Sequence, residues 1–436
     1  MFKKIFSVLT AAALCLTVSS CGKSGEEQVS EVTAATTANG KKIIKICSLF
    51  SAEDDLQNRI VSFNKNSAEY TAELTEYADV NYFDAITRLN LDITTANAPD
   101  ILVITSPKSY TYSYMDKGLF ADLYEFIDSD PDLKRGDFLD SVLKAGEKNG
   151  KLFSFAPKFY VDTVVGKTSL VGDKQGRTVE EFIELVDKYP DKQIMEGNGT
   201  KGGALIMLAL YDYGRYVDQG TGECSFDSED FIRLLEFCNR FPYEVDGYDQ
   251  DNLRDGTSLF SSFYSVSNFY DIHSLEYYAF GEPVTFMGFP GVAGNGSVIQ
   301  KETEYAIISN SANKGGAWEF LKYFLSEEYQ DGIALKGESF PVRLSSLELA
   351  AEEAKKGTYD SITGEYIEPV GGVNTDEDNQ RVYDLLGSAT GAVDVDSRIY
   401  EIISVEADAY FAGQKSAKEA AEIIQNRISN YLAENH

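Results

Sequence analysis

The chain has 436 residues and a formal charge of −31, from 39 lysines and arginines against 70 aspartates and glutamates. A negative field of this size repels phosphate backbones, so the composition argues against nucleic-acid binding and disfavours an anionic ligand. The length exceeds what one hydrophobic core usually supports, which predicts two lobes.

The first twenty residues predict a secretory signal peptide. Two lysines are followed by a mostly apolar stretch and then by two serines that precede Cys21. That order is typical of a secretory signal, and the apolar stretch is shorter than the about 20 residues that a spanning helix needs. The residues before Cys21 resemble a bacterial lipobox, which implies cleavage before this cysteine and lipidation of its side chain. An ordinary signal with a chance cysteine is the alternative.

Residues 21–40 predict a flexible tether. The segment is rich in Ser, Thr, Ala, Gly and Glu and contains no aromatic residue. It lacks the apolar surface that folding needs, and such a chain would link a membrane anchor to a globular body.

After the tether, strand and helix signals alternate. Residues 41–50 predict a β-strand, and residues 100–104 form a short apolar run of the kind found in buried parallel strands. Thr178 and Glu181 have the spacing of a capping box. The alternation predicts an α/β fold with mainly parallel sheets. Apolar spacing predicts helical faces at Leu56, Ile60 and Phe63; Ile86, Leu89 and Ile93; Val179, Phe182, Ile183 and Val186; Phe231, Leu234, Leu235 and Cys238; Ala317, Phe320, Leu321 and Phe324; and Ala420, Ile423, Ile424 and Tyr431, in a last helix that Ser416 and Glu419 open.

Three cysteines follow Cys21 in the sequence. Cys47 falls in a strand-like run, Cys238 lies on an apolar helical face, and Cys224 precedes that helix. Three scattered cysteines do not make a disulfide framework, so we expect buried thiols. A bridge between Cys224 and Cys238 stays open as the alternative, because exported proteins can carry disulfides.

Five short segments follow one another along most of residues 41–436. They are APDI at 98–101, GLFADL at 118–123, KLFSFAP at 151–157, GGAWEFLK at 315–322 and FPVR at 340–343. In this order, and behind a lipobox, they resemble segments of the bacterial extracellular solute-binding proteins of the maltose-binding type, which serve carbohydrate ABC importers.

The resemblance implies a two-lobed, periplasmic-binding-protein-like α/β fold, in which hinge strands join the lobes and a ligand cleft lies between them. It divides the chain into lobe 1, from residues 41–155 plus 300–335, and lobe 2, from residues 160–290 plus 345–436. Ligand sites of open α/β sheets lie beyond the carboxyl ends of the strands, so two such edges that face each other make a cleft. A ligand that contacts both lobes favours the closed state.

The resemblance also implies a function. We expect a substrate-binding protein of an ABC importer, lipid-anchored at the extracytoplasmic face of the cell membrane, that binds a mono- or oligosaccharide by hinge closure. The implied partners are the sugar, the permease subunits and, through the lipid, the membrane. We expect a monomer that uses no cofactor or metal and is not an enzyme.

Three alternatives remain at this point. The same fold could bind a peptide, a polyamine or another cation, which the negative charge would suit. A secreted glycoside hydrolase needs only two carboxylates. A surface protein without an importer is the third.

Sugars present apolar C–H faces and a ring of hydroxyls, so a site needs flat aromatic surface and polar groups in the ring plane. The chain has 27 Tyr and 26 Phe but one Trp, Trp318, which we expect to pack within its helix. Stacking is therefore assigned to Tyr or Phe. Matched segment by segment to the family, the candidate ligand residues are Phe50, Ser51 and Glu53 after the first strand; Thr105, Ser106 and Tyr110 after residues 100–104; Phe159 and Tyr160 at the first hinge; Lys201 before a helix; Tyr264, Ser265, Phe269 and Tyr270 in an aromatic segment; Phe289 at the second hinge; and Asn374.

Two other kinds of site are not favoured. A G-x-G-x-x-G motif at 197–202 precedes a helix, but residues 192–195 predict a poor strand and a dinucleotide fingerprint needs a strong one. The chain holds two histidines, His273 and His436, which argues against a zinc site built on histidines and against a catalytic triad.

Overall fold

The structure, a computed structural model, shows the mixed α/β architecture that the sequence predicts. It describes residues 35–77, 81–95, 97–105, 108, 110–197, 199–211, 213–218, 221–245, 247–359, 366–367, 371–391 and 396–435. The expected signal peptide, most of the expected tether, the lipidation residue Cys21 and the candidate Ser106 lie outside these residues. Within them, we find no helix that is both long and apolar enough to cross a membrane.

The strands range from two-residue pairings to one strand of ten residues at the centre of the larger sheet. They are β1 (Lys42–Ser48), β2 (Tyr70–Glu76), β3 (Ile101–Ile104), β4 (Glu147–Lys148), β5 (Lys151–Leu152), β6 (Lys158–Lys167), β7 (Gln193–Glu196), β8 (Val217–Asp218), β9 (Glu223–Cys224), β10 (Ser258–Val266), β11 (Val284–Phe286), β12 (Val298–Lys301), β13 (Glu304–Ile307), β14 (Phe340–Pro341), β15 (Thr358–Tyr359), β16 (Tyr366–Ile367) and β17 (Thr390–Gly391).

The helices surround the two larger sheets. They are α1 (Asp54–Asn66), α2 (Tyr82–Ile93), α3 (Tyr110–Asp116), α4 (Leu123–Ser129), α5 (Asp140–Lys144), α6 (Thr168–Val171), α7 (Val179–Asp187), α8 (Lys201–Leu205), α9 (Glu229–Cys238), α10 (Gln250–Arg254), α11 (Asp271–Ser274), α12 (Lys314–Leu321), α13 (Glu327–Lys336), α14 (Leu344–Ala354), α15 (Asp376–Ser388), α16 (Ser397–Phe411) and α17 (Ala417–Asn435). Single π-helical turns extend α8 over Ile206–Leu210 and α11 over Leu275–Phe280, and 3₁₀ turns occupy Arg135–Asp137, Tyr213–Arg215 and Lys322–Leu325.

The local helix signals are confirmed. The Glu181 amide donates to Thr178 Oγ1 at 3.2 Å and the Thr178 amide donates to Glu181 Oε2 at 3.1 Å, which is the predicted capping box of α7. Ser416 and Glu419 open α17 in the same way. Trp318 is buried beside Phe126, with 5.6 Å between ring centroids, so its predicted packing role holds.

The cysteines that the structure describes are free thiols. Cys47 and Cys238 are buried, as expected, and Cys224 is half-buried with its sulfur 3.2 Å from Ser429 Oγ. The alternative bridge between Cys224 and Cys238 is therefore not formed.

The first sheet has the strand order β13-β3-β1-β2. β1 pairs in parallel with both β2 and β3, and β13 pairs antiparallel with β3. Helix α1 buries Leu56 and Phe63 against one face of this sheet, and α2 buries Leu89 and Ile93 against the other. The parallel α/β pattern expected from the sequence is found here.

The second sheet is built around β6, in the order β17-β12-β6-β10-β7, with β11 and β14 also paired to β6. Every strand that pairs with β6 does so antiparallel, and the parallel pairs are those of β10 with β7 and β12 with β17. The expectation of mainly parallel sheets is therefore wrong for this sheet. β6 begins at the end of the sheet where β12 and β10 finish, so these neighbours run against it.

The two sheets meet at one junction. In the second sheet, the carboxyl end of β12 lies beside the amino end of β6, since Lys301 pairs with Phe159. In the first sheet, the amino end of β13 lies beside the carboxyl end of β3, since Glu304 pairs with Ile104. Only residues 302–303 separate β12 from β13. The edge of the first sheet at Glu304 and the edge of the second sheet at Lys301 therefore lie next to each other. Open α/β sheets bind ligands at edges of this kind.

Three chain segments connect the sheets, and we call them crossing segments. The first is residues 153–157, before β6; the second is residues 302–303; the third is residues 337–339, between α13 and β14. An isolated bridge between Phe155 and Tyr305 joins the first segment to β13. One hydrophobic cluster runs through the junction, because it contains both Ile44 of the first sheet and Phe159 of the second.

Candidate ligand-binding site

An aromatic row follows the edge of the first sheet. Phe50, in the loop after β1, stacks on Tyr82 with 6.2 Å between centroids and 10° between ring planes. Tyr82 in turn meets Phe83 edge-on at 5.5 Å, and Phe83 is 77% exposed. Phe50 is a candidate from the sequence, whereas the two rings that begin α2 are not among the sequence candidates. Flat, half-exposed rings are what a sugar face needs.

Glu53, in the same loop, connects this edge to the second crossing segment. Its carboxylate accepts a hydrogen bond from Thr303 Oγ1 and lies 3.3 Å from Lys158 Nζ. The side chain is still 43% exposed, and Ser51 beside it is exposed. A carboxylate has about four acceptor positions, so Glu53 retains lone pairs for a solute.

Three hydroxyls are enclosed at this edge without a hydrogen-bond partner in the described part of the chain. They belong to Ser48 at the end of β1, Thr105 after β3, and Tyr110 at the start of α3. Burial raises the pKa of Tyr110, so its hydroxyl stays protonated and can donate. Buried polar groups rarely lack partners in proteins, so these three favour a polar occupant, solute or water, at this edge.

Glu304 binds Lys108, which lies between Thr105 and Tyr110 in the chain. Its carboxylate accepts from Lys108 Nζ, Lys301 Nζ and Ser154 Oγ, each at 2.6 Å. Burial alone would raise the pKa of Glu304, but the two ammonium groups outweigh it and lower the pKa to about 2. Glu304 is therefore a saturated structural anion at the junction, with little capacity left for a ligand.

A second polar and aromatic group lies on the second sheet. Tyr160 and Asp162 are half-buried on one side of β6, and Ser265 Oγ donates to Asp162 Oδ1 at 2.6 Å. Burial raises the pKa of Asp162, partly offset by hydrogen bonds from Ser265 and the Gln300 side chain. Among the described residues, Asp162 forms no ion pair. A carboxylate in such a position is a frequent mark of a binding site.

Tyr211 completes this group. It follows the π-helical turn Ile206–Leu210 and stacks on Phe289, with 4.0 Å between centroids and 9° between planes. Burial, and then the negative charge of Asp162, raise the pKa of Tyr211. Neither Asp162 nor Tyr211 is among the candidates predicted from the sequence. A lone acid inside a strand rich in valine was the available signal for Asp162, whereas Tyr211 had none.

For three of the other aromatic candidates the role that the structure shows is packing, and one of them, Phe289, supports the ring of Tyr211 from beneath. Phe159 and Phe289 have no exposed surface, and Phe269 is 2% exposed against Phe340 and Tyr383. The resemblance placed Phe159 and Phe289 at the two expected hinges and Phe269 in the aromatic segment, which is why they were candidates. In the fold they fill the cores beneath the sheet.

Successive strand residues point to opposite faces, which separates two other candidates. Ser265 faces Asp162, whereas Tyr264 packs against the hydrophobic cluster on the other side of β10. Tyr270 lies on that side too, where its hydroxyl donates to the Glu353 carbonyl at 2.9 Å.

Lys201 and Asn374 have structural partners. The Lys201 ammonium donates to the Asn239 carbonyl at 2.6 Å, at the end of α9. Asn374 is 3% exposed and its amide donates to the Phe269 carbonyl at 2.8 Å. Neither side chain is brought to the group formed by Tyr160 and Asp162.

The G-x-G-x-x-G segment follows a real strand, β7, so the prediction of a poor strand is wrong. Gly199 in this motif is nevertheless explained by close packing within the chain. A Cβ on Gly199 would lie 2.3 Å from the Met195 carbonyl oxygen. Thr200 then caps α8 by accepting from the Gly203 amide at 3.1 Å. Within the described residues, no group of three or more His, Cys, Asp or Glu side chains could hold a metal ion.

Comparison with known proteins agrees with this architecture. The profile of the family described as bacterial extracellular solute-binding protein matches residues 58–358, more than half of the chain. No curated protein matches the chain by sequence.

Solved structures share the fold at low identity. MalE, a sugar-binding protein from Xanthomonas citri, is 12% identical with a TM-score of 0.59, covering 90% of this chain and 98% of that one. A cyclic α-maltosyl-1,6-maltose-binding protein from Arthrobacter globiformis is 13% identical with a TM-score of 0.55, covering 91% and 100%. An ABC substrate-binding protein from Listeria monocytogenes, in complex with cycloalternan, is 14% identical with a TM-score of 0.54, covering 90% and 99%.

These likenesses establish the periplasmic-binding-protein-like fold that the five sequence segments implied. The profile match begins within α1 and extends past the end of α14, so it includes all three crossing segments and every strand of the two larger sheets except β1 and β17. The chain belongs to the bacterial extracellular solute-binding proteins.

Proposed function

We propose that this protein is the solute-binding component of an ABC importer and that it captures a carbohydrate, a mono- or oligosaccharide, at the junction of the two sheets. The observation that carries the proposal is that both edges of one junction offer rings beside polar groups. Phe50, Tyr82 and Glu53 stand on one edge, and Tyr160 and Asp162 on the other. Rings fit the C–H faces of a sugar, and the acids and hydroxyls fit its hydroxyl groups.

Capture would proceed by closure. Lobe 1 (41–155 plus 300–335) and lobe 2 (160–290 plus 345–436) would rotate about the three crossing segments, because a solute that contacts both edges binds the closed state more tightly. A micromolar dissociation constant needs about −8 kcal/mol. Two stacked rings and several hydrogen bonds of about 1 kcal/mol each supply that order of free energy. The importer would then distinguish loaded from empty protein by shape.

Sugar binding in the structural relatives named above supports this choice of ligand, as do the two ring-bearing edges. A second candidate has its own observation: Glu53, Asp162 and a formal charge of −31 would also suit a polyamine or another cation. Either ligand class leaves the solute chemically unchanged, so the proposal includes no catalytic step.

A thermal-shift panel tests the ligand class. A ligand selective for the native state raises the melting temperature, by an amount that grows with concentration over Kd. We expect neutral mono- and oligosaccharides to raise it and polyamines and peptides to leave it unchanged. A shift with polyamines alone would transfer the proposal to the cation class. Chromatography of the same mixtures would detect hydrolysis of an oligosaccharide. If hydrolysis occurs, the proposed function changes from solute binding to glycoside hydrolysis.

Two tyrosines on opposite faces of the second sheet test the location of the site. Tyr160→Ala removes a half-exposed ring beside Asp162, and we expect affinity for the panel sugar to fall about tenfold. Tyr264→Ala removes a ring that packs against the hydrophobic cluster, and we expect lower stability with little change in affinity. Calorimetric titration and thermal unfolding of both variants give the two values. The reverse result would put the solute on the opposite face of β10.

A further inference from the structure

Lys158 is the first residue of β6 and directly follows the first crossing segment. Its Nζ lies 2.9 Å from Glu302 Oε2, in the second crossing segment, and 3.3 Å from Glu53 Oε2, in the loop after β1. The side chain is 23% exposed. One ammonium group therefore joins the hinge region of the second sheet to a loop of the first.

Glu302 extends this connection to the third crossing segment. Its Oε1 accepts from Ser339 Oγ at 2.6 Å, while Oε2 faces Lys158. Thr303, the next residue, donates its hydroxyl to Glu53. All three crossing segments are thus linked, through Lys158 and its neighbours, to the carboxylate of Glu53.

The positive charge of Lys158 balances the two carboxylates of Glu53 and Glu302. Burial alone would lower the pKa of Lys158, but its hydrogen bond to Glu302 and the charge of Glu53 outweigh burial and raise the pKa. The ammonium therefore stays charged between two carboxylates that would otherwise repel each other. Removing one partner of a partly buried charge cluster leaves the others uncompensated, which makes the arrangement sensitive to this residue.

We propose that Lys158 is the positioning residue of the solute site: it holds the Glu53 carboxylate at the junction from within the segments about which the lobes turn. The inference rests on the proposed function, with Glu53 as the group that accepts hydrogen bonds from the solute. Lys158 itself does not contact the solute. Its role is to couple the orientation of Glu53 to the state of the hinge.

The ligand-free protein supplies the first test, by hydrogen exchange of the backbone amides of residues 49–57. We expect Lys158→Met to speed exchange in this loop several-fold and Lys158→Arg to leave it near the wild-type rate. Lys167→Met is the matched control. Lys167 ends the same strand, is 11% exposed, and pairs with Glu282 at 2.9 Å, far along β6 from the junction. Equal exchange in Lys158→Met and Lys167→Met would overturn the assignment whether or not any sugar binds.

The second test measures affinity for the neutral sugar that gives the largest shift in the thermal panel. We expect Lys158→Met to weaken binding about tenfold, Lys158→Arg to restore most of it, and Lys167→Met to leave it unchanged. In a Glu53→Gln background, Lys158→Met should add little further loss, because it acts through Glu53. An undiminished loss in that background would mean that Lys158 acts independently of Glu53 and would refute the positioning role.

If no sugar in the panel binds, the proposed function fails, while the exchange measurement still decides the role of Lys158. Melting temperatures of all variants are measured alongside. A Lys158→Met protein that does not fold would leave Lys158→Arg and Glu302→Gln to carry the exchange test. Glu302→Gln keeps the side-chain length but removes the charge that holds the ammonium, so we expect faster exchange in residues 49–57 there too.

Discussion

Asp162, an acid of the proposed solute site, opposes stability through its burial. Its carboxylate is half-buried and accepts from Ser265 Oγ at 2.6 Å, and no described cation pairs with it. Because burial raises its pKa in the folded protein, the folded state holds the proton more tightly than the unfolded state does. Functional sites often retain such destabilising groups.

We therefore predict that Asp162→Asn stabilises the protein at neutral pH. The carboxyl of the unfolded chain ionises near pH 3.8, its ordinary value, and the folded one at higher pH, so stability falls as pH rises through that interval. The amide can keep the hydrogen bond from Ser265 without this penalty. Urea unfolding at pH 3.5 and pH 7 should show a gain only at pH 7, together with weaker sugar binding. A loss of stability at pH 7 would contradict the burial argument.

At the scale of elements, the short second crossing segment lies between two charged strand ends. Lys301 closes β12 and Glu304 opens β13, and the two side chains meet at 2.6 Å. Lys108 approaches the same carboxylate from the loop after β3, also at 2.6 Å. The charge cluster therefore binds the end of one sheet to a loop of the other, at the place where the chain must bend.

Glu304→Gln should be strongly destabilising. It leaves the Lys108 and Lys301 ammonium groups buried without their counter-charge, which typically costs about 3–5 kcal/mol. Because the folded pKa of Glu304 is lowered to about 2, its contribution is complete above pH 4.5 and is lost as pH falls towards 2.

Urea unfolding at several pH values checks this prediction. The gap between wild type and Glu304→Gln should be largest at neutral pH and should narrow between pH 4.5 and pH 2. Lys144→Met, which removes an exposed ion pair with Asp140 on α5, is the control and should change stability little. A gap that does not vary with pH would show that the effect comes from packing and not from charge.

At the scale of the whole molecule, the proposal is a closing motion about three crossing segments. We predict that the sugar identified by the thermal panel reduces the radius of gyration in small-angle X-ray scattering. The lobes approach when the solute contacts both edges, and the change should saturate at the ratio of one ligand per chain. Tyr160→Ala should need more sugar to reach the same final radius. An unchanged radius at saturating sugar would rule out capture by closure.

Anchoring is a separate property of the whole chain. We predict that Cys21→Ser moves the protein from the membrane fraction to the culture medium or periplasm, because the lipid would have no attachment point. Fractionation and immunoblotting of cells that express either form measure this. Retention of Cys21→Ser in the membrane fraction would mean that the lipobox interpretation is wrong. Sugar affinity should be the same for both forms.

Local interactions could be predicted from the sequence. The capping box at Thr178 and the apolar faces of α1 and α9 each depend on residues within one to three helical turns. The strand at residues 100–104 was recognisable because its apolar run is continuous. The family followed from the order of short segments, each of which reflects a local turn or strand entry. Sequence neighbours stay neighbours in the fold, so these predictions needed no knowledge of the rest of the chain.

The candidate site was decided by tertiary structure. Ser265 meets Asp162 from 103 positions away, and Lys158 meets Glu302 across the junction. Tyr264 and Ser265 are adjacent in sequence yet face opposite sides of the sheet, so the aromatic content of a segment could not show which ring is accessible. Strand register and direction arise from long-range pairing, and in the second sheet that pairing is antiparallel around β6. The sequence by itself determined the helix caps and the apolar faces of the helices, because these depend on residues close together in the chain. The pairing of distant strands determined which side chains share the junction and which aromatic rings are buried beneath the sheet.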